Sequence, residues 1–209
     1  MGIAERKGKQ KLEIRKQILD ASMKLFIEEG FDNVTIRKIA DLIEYSPTTV
    51  YLYFKDKNEI FYSLHEMGFQ KFAMMNQPLA GIANPITRLH KMGENYIEFG
   101  LANPEFYDVM FIQRAPMKAL AEMANCDWTP GENALKLLKD TISEAMEKKL
   151  IMPASNIDSV AMAIWGMVHG LVSLAIRERF DKLGEIPDLK ALMHQSVNWL
   201  MGTIDLSLR

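Results

Sequence analysis

Cysteine is almost missing from this chain: Cys126 stands alone among 209 residues. A lone cysteine excludes an internal disulfide, a cysteine-rich zinc site and a C-x-x-C redox pair. Glycine and proline are sparse, at 12 and 8, and alternating runs of Val, Ile and Thr are scarce. With 48% hydrophobic residues to bury, this composition argues for an all-α fold with a sizeable core. There is no Gly-rich phosphate loop, no H-E-x-x-H and no G-x-S-x-G. His65, His90, His169 and His194 are scattered without metal-ligand spacing. An enzyme is therefore disfavoured for want of a nucleophile–base pair, and no metal or cofactor is expected. The opening MGIAERKGKQK has no apolar run, so it does not read as a secretory signal, and Arg6 stands where a myristoylation signal needs Ser or Thr. A cytoplasmic protein is the expectation.

Excess charge is lacking too, at a net of −2, but the charge is unevenly placed. Residues 1–57 carry 11 Lys/Arg against 9 Asp/Glu, and residues 1–24 carry 7 against 3. A small basic module is joined to an acidic body.

Helical spacing fills most of the chain. Ile14, Ile18, Ala21, Ser22, Leu25 and Phe26 mark one face of a first helix, which Gly30 ends. Thr35 is placed to cap a short second helix with Ile36, Ile39, Ala40 and Ile43 inward. Ser46-Pro47 restarts a third helix, since Ser caps and Pro is tolerated at the first helical position. Asp56 with Glu59 resembles a capping box for a longer fourth helix. Further helical patterns run over roughly 86–102, 105–112, 130–150, 156–180 and 188–205. Residues 159–176 contain no Asp, Glu, Lys or Arg. At about 1.5 Å per residue that stretch falls just short of a ~30 Å bilayer core, so a helix between its own domain and a partner subunit is preferred to a membrane span.

The third helix carries the functional signal. On a helical wheel Val50 and Phe54 point inward. Thr48, Thr49 and Leu52 point the opposite way, with Tyr51 and Tyr53 on the two flanks. Small hydrogen-bonding side chains flanked by hydroxyls suit a major groove, where threonine can bond base edges or meet a thymine methyl, and hydroxyls can contact phosphate. Thr35 and Arg37 open the preceding helix, Ser46 and Pro47 begin the recognition helix, and Lys57 follows it, near enough for a phosphate contact. Lys7, Lys9, Lys11 and Arg15 add positive potential. The competing role for Tyr51 and Tyr53 is that of half-buried core aromatics.

Residues 12–61 resemble the DNA-binding domain of the TetR family of bacterial repressors. The likeness rests on Thr35, Ile39-Ala40, Ser46, Tyr51, Tyr53-Phe54 and Lys57, at the positions of the family's pattern. One departure is Glu44, which stands where the family usually has a turn glycine. Trp165, His169 and Gly170 resemble the Trp-His-Gly branch of that family. The resemblance implies an all-α chain of about nine helices: a helix-turn-helix domain with a basic N-terminal arm (1–57), a connecting helix (58–76), and a ligand-binding and dimerisation domain (77–209). It implies a homodimer on a palindromic DNA operator, released by a small, largely apolar effector and without membrane association. Met92, Tyr96, Phe106, Met110, Phe111, Trp165 and His169 are the candidate cavity residues. Leu189, Leu192, Met193, Val197, Leu200, Met201 and Ile204 form the apolar stripe of the last helix, the candidate dimer interface. Completion of the protomer's own core competes with both roles. The alternatives are a helical enzyme or a membrane-associated adaptor without sequence-specific DNA binding.

Overall fold

Helices begin where side chains can cap them. The computed structural model describes residues 2–113, 129–154 and 156–208, and Cys126 lies outside them. Among the described residues there are nine α-helices and no strands: α1 (Ile3–Glu29), α2 (Ile36–Leu42), α3 (Pro47–Tyr51), α4 (Lys57–Asn76), α5 (Pro85–Ala102), α6 (Pro104–Tyr107), α7 (Thr129–Glu147), α8 (Ile157–Ile176) and α9 (Leu189–Ile204). Thr35 Oγ1 accepts from the Lys38 amide at 3.2 Å, and Ser46 Oγ from the Thr49 amide at 3.2 Å. Asp56 Oδ1 accepts from the Glu59 amide at 2.9 Å, while Glu59 Oε2 reaches the Lys55 amide rather than that of Asp56. The bonds to the Lys38, Thr49 and Glu59 amides each satisfy a donor that a helix start leaves open.

Helix ends follow a less usual rule. The Tyr45 amide donates to Ala40 O at 3.0 Å and the Glu44 amide to Asp41 O at 3.3 Å, a Schellman ending with Glu44 at φ 60°. The same pair of bonds closes α7 around Lys149 and α8 around Glu178, each at φ 55°. Three charged residues thus hold the left-handed conformation that glycine adopts without strain. The unusual turn at Glu44 is therefore real, and the motif survives it.

The chain divides into two compact units. The first contains residues up to Gly68 together with the segment from Glu105. Its core gathers Ile14, Ile18, Phe26, Ile39, Val50, Phe54, Ile60, Phe61 and Leu64, and Val109 belongs to it as well. The 57/58 boundary expected from sequence is therefore not where this unit ends: residues 58–68 and the π-helical turn Asp108–Ile112 share its interior. Phe26, Phe31 and Phe61 form an aromatic triple with centroids 5.0–5.4 Å apart. A Cβ on Gly68 would lie 2.5 Å from Met110 Sδ, so with Met110 placed as it is the lack of a Cβ lets α4 and the 105–112 segment approach this closely.

The second unit contains Phe69–Pro104 and the chain beyond Trp128. Helix α5 is its hub, with α7, α8 and α9 all packed on it. Buried residues recur at helical spacing on each: Leu138, Ile142 and Ala145 on α7, Ile164, Val168 and Val172 on α8, and Met193, Val197 and Met201 on α9. Gly93 sits at the crossing, where an added Cβ would stand 2.9 Å from Val197 Cγ1 and 3.8 Å from Val168 Cγ1. Polar ties fix the register. Arg88 binds Glu144 at 2.8 Å and Ile82 O at 2.7 Å, and Glu98 accepts from Lys190 at 2.7 Å and pairs with His194 at 3.0 Å. The Lys190 hydrogen bond, offset in part by burial and reinforced by that of His194, holds the Glu98 carboxyl below the usual carboxylate range.

Candidate DNA-reading face and candidate ligand residues

Helix α3 is five residues long, because hydrogen bonds from the Leu52 and Tyr53 amides to Thr49 O and Val50 O tighten its last turn. Val50 and Phe54 are buried as the wheel predicts, and Thr48 is exposed on the opposite side. Thr49 is half-buried, its hydroxyl 3.0 Å from that of Ser46, so the cap and the helix face share one hydrogen-bonded pair. Pro47 is half-buried at the first helical position. Tyr51 is 56% exposed and Leu52 75%. Tyr53 departs from the expected symmetry. It packs half-buried against the core, so the two tyrosines are not equivalent flanks. The tightened final turn displaces Tyr53 from the wheel position of an ideal α-helix.

On α2, Thr35 is exposed apart from its cap bond, and Arg37 is exposed with Asp41 at 4.0 Å. Two basic residues expected to offer charge to DNA have internal work. Lys57 Nζ donates to Phe31 O at 2.6 Å and Val34 O at 2.8 Å, and lies 4.1 Å over the Phe31 ring. Burial lowers its pKa, with Asp32 acting in the other direction. It closes the α1–α2 loop. Arg15 lies over Phe54 at 5.0 Å and reaches Ser63 Oγ at 3.4 Å.

The candidate cavity residues fall in both units. Phe106, Met110 and Phe111 belong to the first, and Met92, Tyr96, Trp165 and His169 to the second. Within the second unit, Trp165 Nε1 donates to Tyr96 Oη at 3.1 Å, and Tyr96 Oη stands 3.2 Å from His169 Nδ1. The phenol accepts from the indole, and its oxygen can either donate to Nδ1 or accept from it, according to the imidazole tautomer. Burial pushes His169 below its ordinary pKa, consistent with a neutral ring. Met92 is half-buried. Met110 is buried, packed on Gly68 in the first unit.

The dimer stripe needs correction. Met193, Val197 and Met201 are buried inside the protomer, on the face of α9 that packs on α5, and cannot present a surface to a partner. Leu189, Leu200 and Ile204 are half-buried and Leu192 is exposed. The most exposed large apolar side chain on α9 is Trp199, at 72%, which the stripe omits. Its signal was an aromatic residue off the core phase of the helix. On α8, Met162 and Leu174 are likewise exposed, and only 22% of its apolar stretch is buried.

A short capped helix with hydroxyls outward, set behind a second helix and followed by a larger helical unit, defines a helix-turn-helix DNA-binding protein. Residues 18–64 match the profile of the bacterial regulatory proteins of the tetR family, and residues 89–200 that of the tetracyclin repressor-like C-terminal domain. The chain belongs to the TetR family. It is 32% identical over 59 residues, 28% of its length, to the HTH-type transcriptional repressor Rv1474c of Mycobacterium tuberculosis, and 28% identical over 97 residues, 46% of its length, to the HTH-type transcriptional repressor NicS of Pseudomonas putida. The matches span 32% and 46% of those relatives' own lengths. In fold it is similar to the fatty acid degradation regulator FadR of Bacillus halodurans, with a TM-score of 0.70 over 90% of this chain and 93% of that one at 19% identity.

Proposed function

We propose that this protein is a ligand-responsive transcriptional repressor that reads a palindromic operator as a homodimer through α3. The observation that carries the reading is the division of α3: Val50 buried, Thr48, Tyr51 and Leu52 left in solvent. The family and the repressors among its relatives support the same reading. Two recognition helices about 34–36 Å apart, or a multiple of that, would meet successive turns of one DNA face. Thr35, Arg37, Ser46 and Tyr51 would position the helix on phosphates, and Thr48 and Thr49 would meet base edges. Lys57 and Tyr53 would act chiefly by holding the motif in shape.

Dimerisation falls to the exposed apolar faces of α8 and α9, through Met162, Leu174, Leu192 and Trp199. Helix α8 is long and apolar enough to cross a membrane by length and composition. A partner subunit is the better occupant, because the exposed faces of two adjacent helices can pair with their own copies across a two-fold axis. The Trp165–Tyr96–His169 chain is the polar anchor of the effector region, consistent with the Trp-His-Gly branch, and Met92 supplies an adaptable apolar contact. The effector is a small, largely apolar molecule that must bind the two DNA-affinity states unequally to cause release. The role is regulatory rather than catalytic, in the cytoplasm.

The test is a genomic-fragment pull-down with purified protein at fixed salt, followed by sequencing of the retained DNA. Enrichment of a palindrome is expected. Uniform weak recovery of all fragments would defeat the reading.

A further inference from the structure

From Ser46 to Phe54 there is no Arg, Lys, Asn, Gln, Asp, Glu or His. In the major groove Arg or Lys forks onto guanine, Asn or Gln onto adenine, and Asp or Glu accepts from cytosine. None of these contacts can come from α3. Of the cations nearby, Lys38 Nζ donates to Glu29 Oε2 and to Asn33 O at 3.1 Å, and Lys57 Nζ is held by Phe31 O and Val34 O. Arg37 lies on α2 with Asp41 4.0 Å away, and the exposed Lys55 follows the buried Phe54, past the end of α3.

What α3 offers instead is hydroxyls and one hydrocarbon. Leu52, its C-cap, is 75% exposed, more than any other large apolar side chain among the described residues. Its backbone is still helical, at φ −71° and ψ −17°, so it continues the face that Thr48 begins four positions earlier. Four residues rise about 6 Å, so the pair spans about two base-pair steps of about 3.4 Å. Hydroxyls discriminate weakly, because threonine can bond either base type, whereas the thymine C5-methyl is read by apolar contact. An exposed leucine signals little by itself. Here it is the largest apolar group on a reading face that has no forked donor. A protein partner would need a contiguous apolar patch, and Leu52 is the one aliphatic side chain among the hydroxyls of Thr48, Thr49 and Tyr51.

We infer that α3 selects its operator through thymine methyl groups, with Leu52 as the specificity-determining residue and the methyl of Thr48 beside it. The bases under α3 therefore include thymine in each half-site, and α3 does not select guanine there. The inference rests on the reading of α3 as the operator-binding helix.

The test remakes the recovered operator with deoxyuridine in place of each thymine in turn, at the matching position of both half-sites. That change removes the methyl and keeps the base pair. Affinities of the full-length wild type and of Leu52→Ala are then measured at fixed salt. One buried methyl contributes about fourfold, so at one thymine position the paired replacement should weaken wild-type binding about tenfold. Leu52→Ala should bind the thymine operator about tenfold more weakly than wild type does, and deoxyuridine at that position should weaken it no further. Its melting curve should match that of wild type, because Leu52 is mostly in solvent. Wild-type affinity unchanged by every replacement would overturn the inference. So would an equal penalty in wild type and Leu52→Ala, or half-sites that contain no thymine. Each of those results leaves the repressor reading standing. If the wild type retains no palindrome at all, the repressor reading falls and the inference falls with it.

Discussion

The two units expose their functional side chains for different reasons. In the first, the candidate DNA-reading residues are those the core does not use: α3 gives Val50 to the interior and leaves Thr48, Tyr51 and Leu52 outside. In the second, the candidate effector residues are woven into the packing, with Tyr96 buried and bonded to both Trp165 and His169. Substitution on the first face should therefore change function without changing stability, whereas in the second unit the two should move together.

The largest effect expected is on the first face. Thr48→Ala/Tyr51→Phe should weaken operator binding roughly 100-fold, at about 1–3 kcal/mol for a good base contact, with thermal unfolding unchanged. A binding isotherm at fixed salt beside a melting curve checks both halves. By contrast, Tyr96→Phe should lower the melting temperature of the protein, because Trp165 Nε1 and His169 Nδ1 lose the hydroxyl between them.

Next comes a buried histidine in the first unit. Burial pushes His65 down to about 4. Its folded value lies below the unfolded value of about 6.5, so the unfolded chain takes up the proton first. Stability is complete above pH ~6.5 and is lost as pH falls toward 4, by up to about 3 kcal/mol. Denaturant titrations across that range should show His65→Gln with a shallower decline than wild type; parallel curves would exclude this residue as the cause.

Third, the two close-packed glycines should respond unequally. Gly93→Ala presses on the β-branched Val197, which has few rotamers to escape into, at a cost of about 1–3 kcal/mol. Gly68→Ala presses on Cγ and Sδ of Met110, midway along an unbranched flexible side chain, and less closely on the Phe106 ring, and should cost less. Equal losses of stability in the two variants would show that α4 and the 105–112 segment are as rigid as the α5–α8–α9 crossing.

The smallest effects belong to helix ends. Glu44→Gly, Lys149→Gly and Glu178→Gly each relieve a left-handed non-glycine residue, a strain of about 1–2 kcal/mol, partly offset by the greater freedom of glycine in the unfolded chain. Each should raise the melting midpoint slightly. A fall at any of the three would mean that the side chain does something its backbone conformation does not reveal.

The end of α1 and the starts of α2, α3 and α4 were legible to within about a residue because their signals are local, whereas the start of α1 at Ile3, well before its first core residue Ile14, was not. Gly30, Thr35, Ser46-Pro47 and Asp56 act on amides only two or three positions away, and the structure uses each as the sequence implies. The inward faces of α1 and α3 were legible for the same reason, since one helix's periodicity suffices to find them. The dimer stripe was not. Met193, Val197 and Met201 look no different in sequence from Leu192 and Trp199, and only the position of α5 decides which are covered.

Sequence alone thus determined an all-α chain, the starts of α2, α3 and α4, and which side of α3 is left in solvent. All of these follow from bonds and spacings within a turn or two of helix. Tertiary structure decided how the charges and the apolar faces are used. Lys57 and Arg15 close the motif on themselves, Val109 joins a core more than forty positions from Leu64, and one face of α9 is consumed by α5. Those outcomes depend on which surfaces meet across long separations in the chain, and no local pattern encodes that meeting.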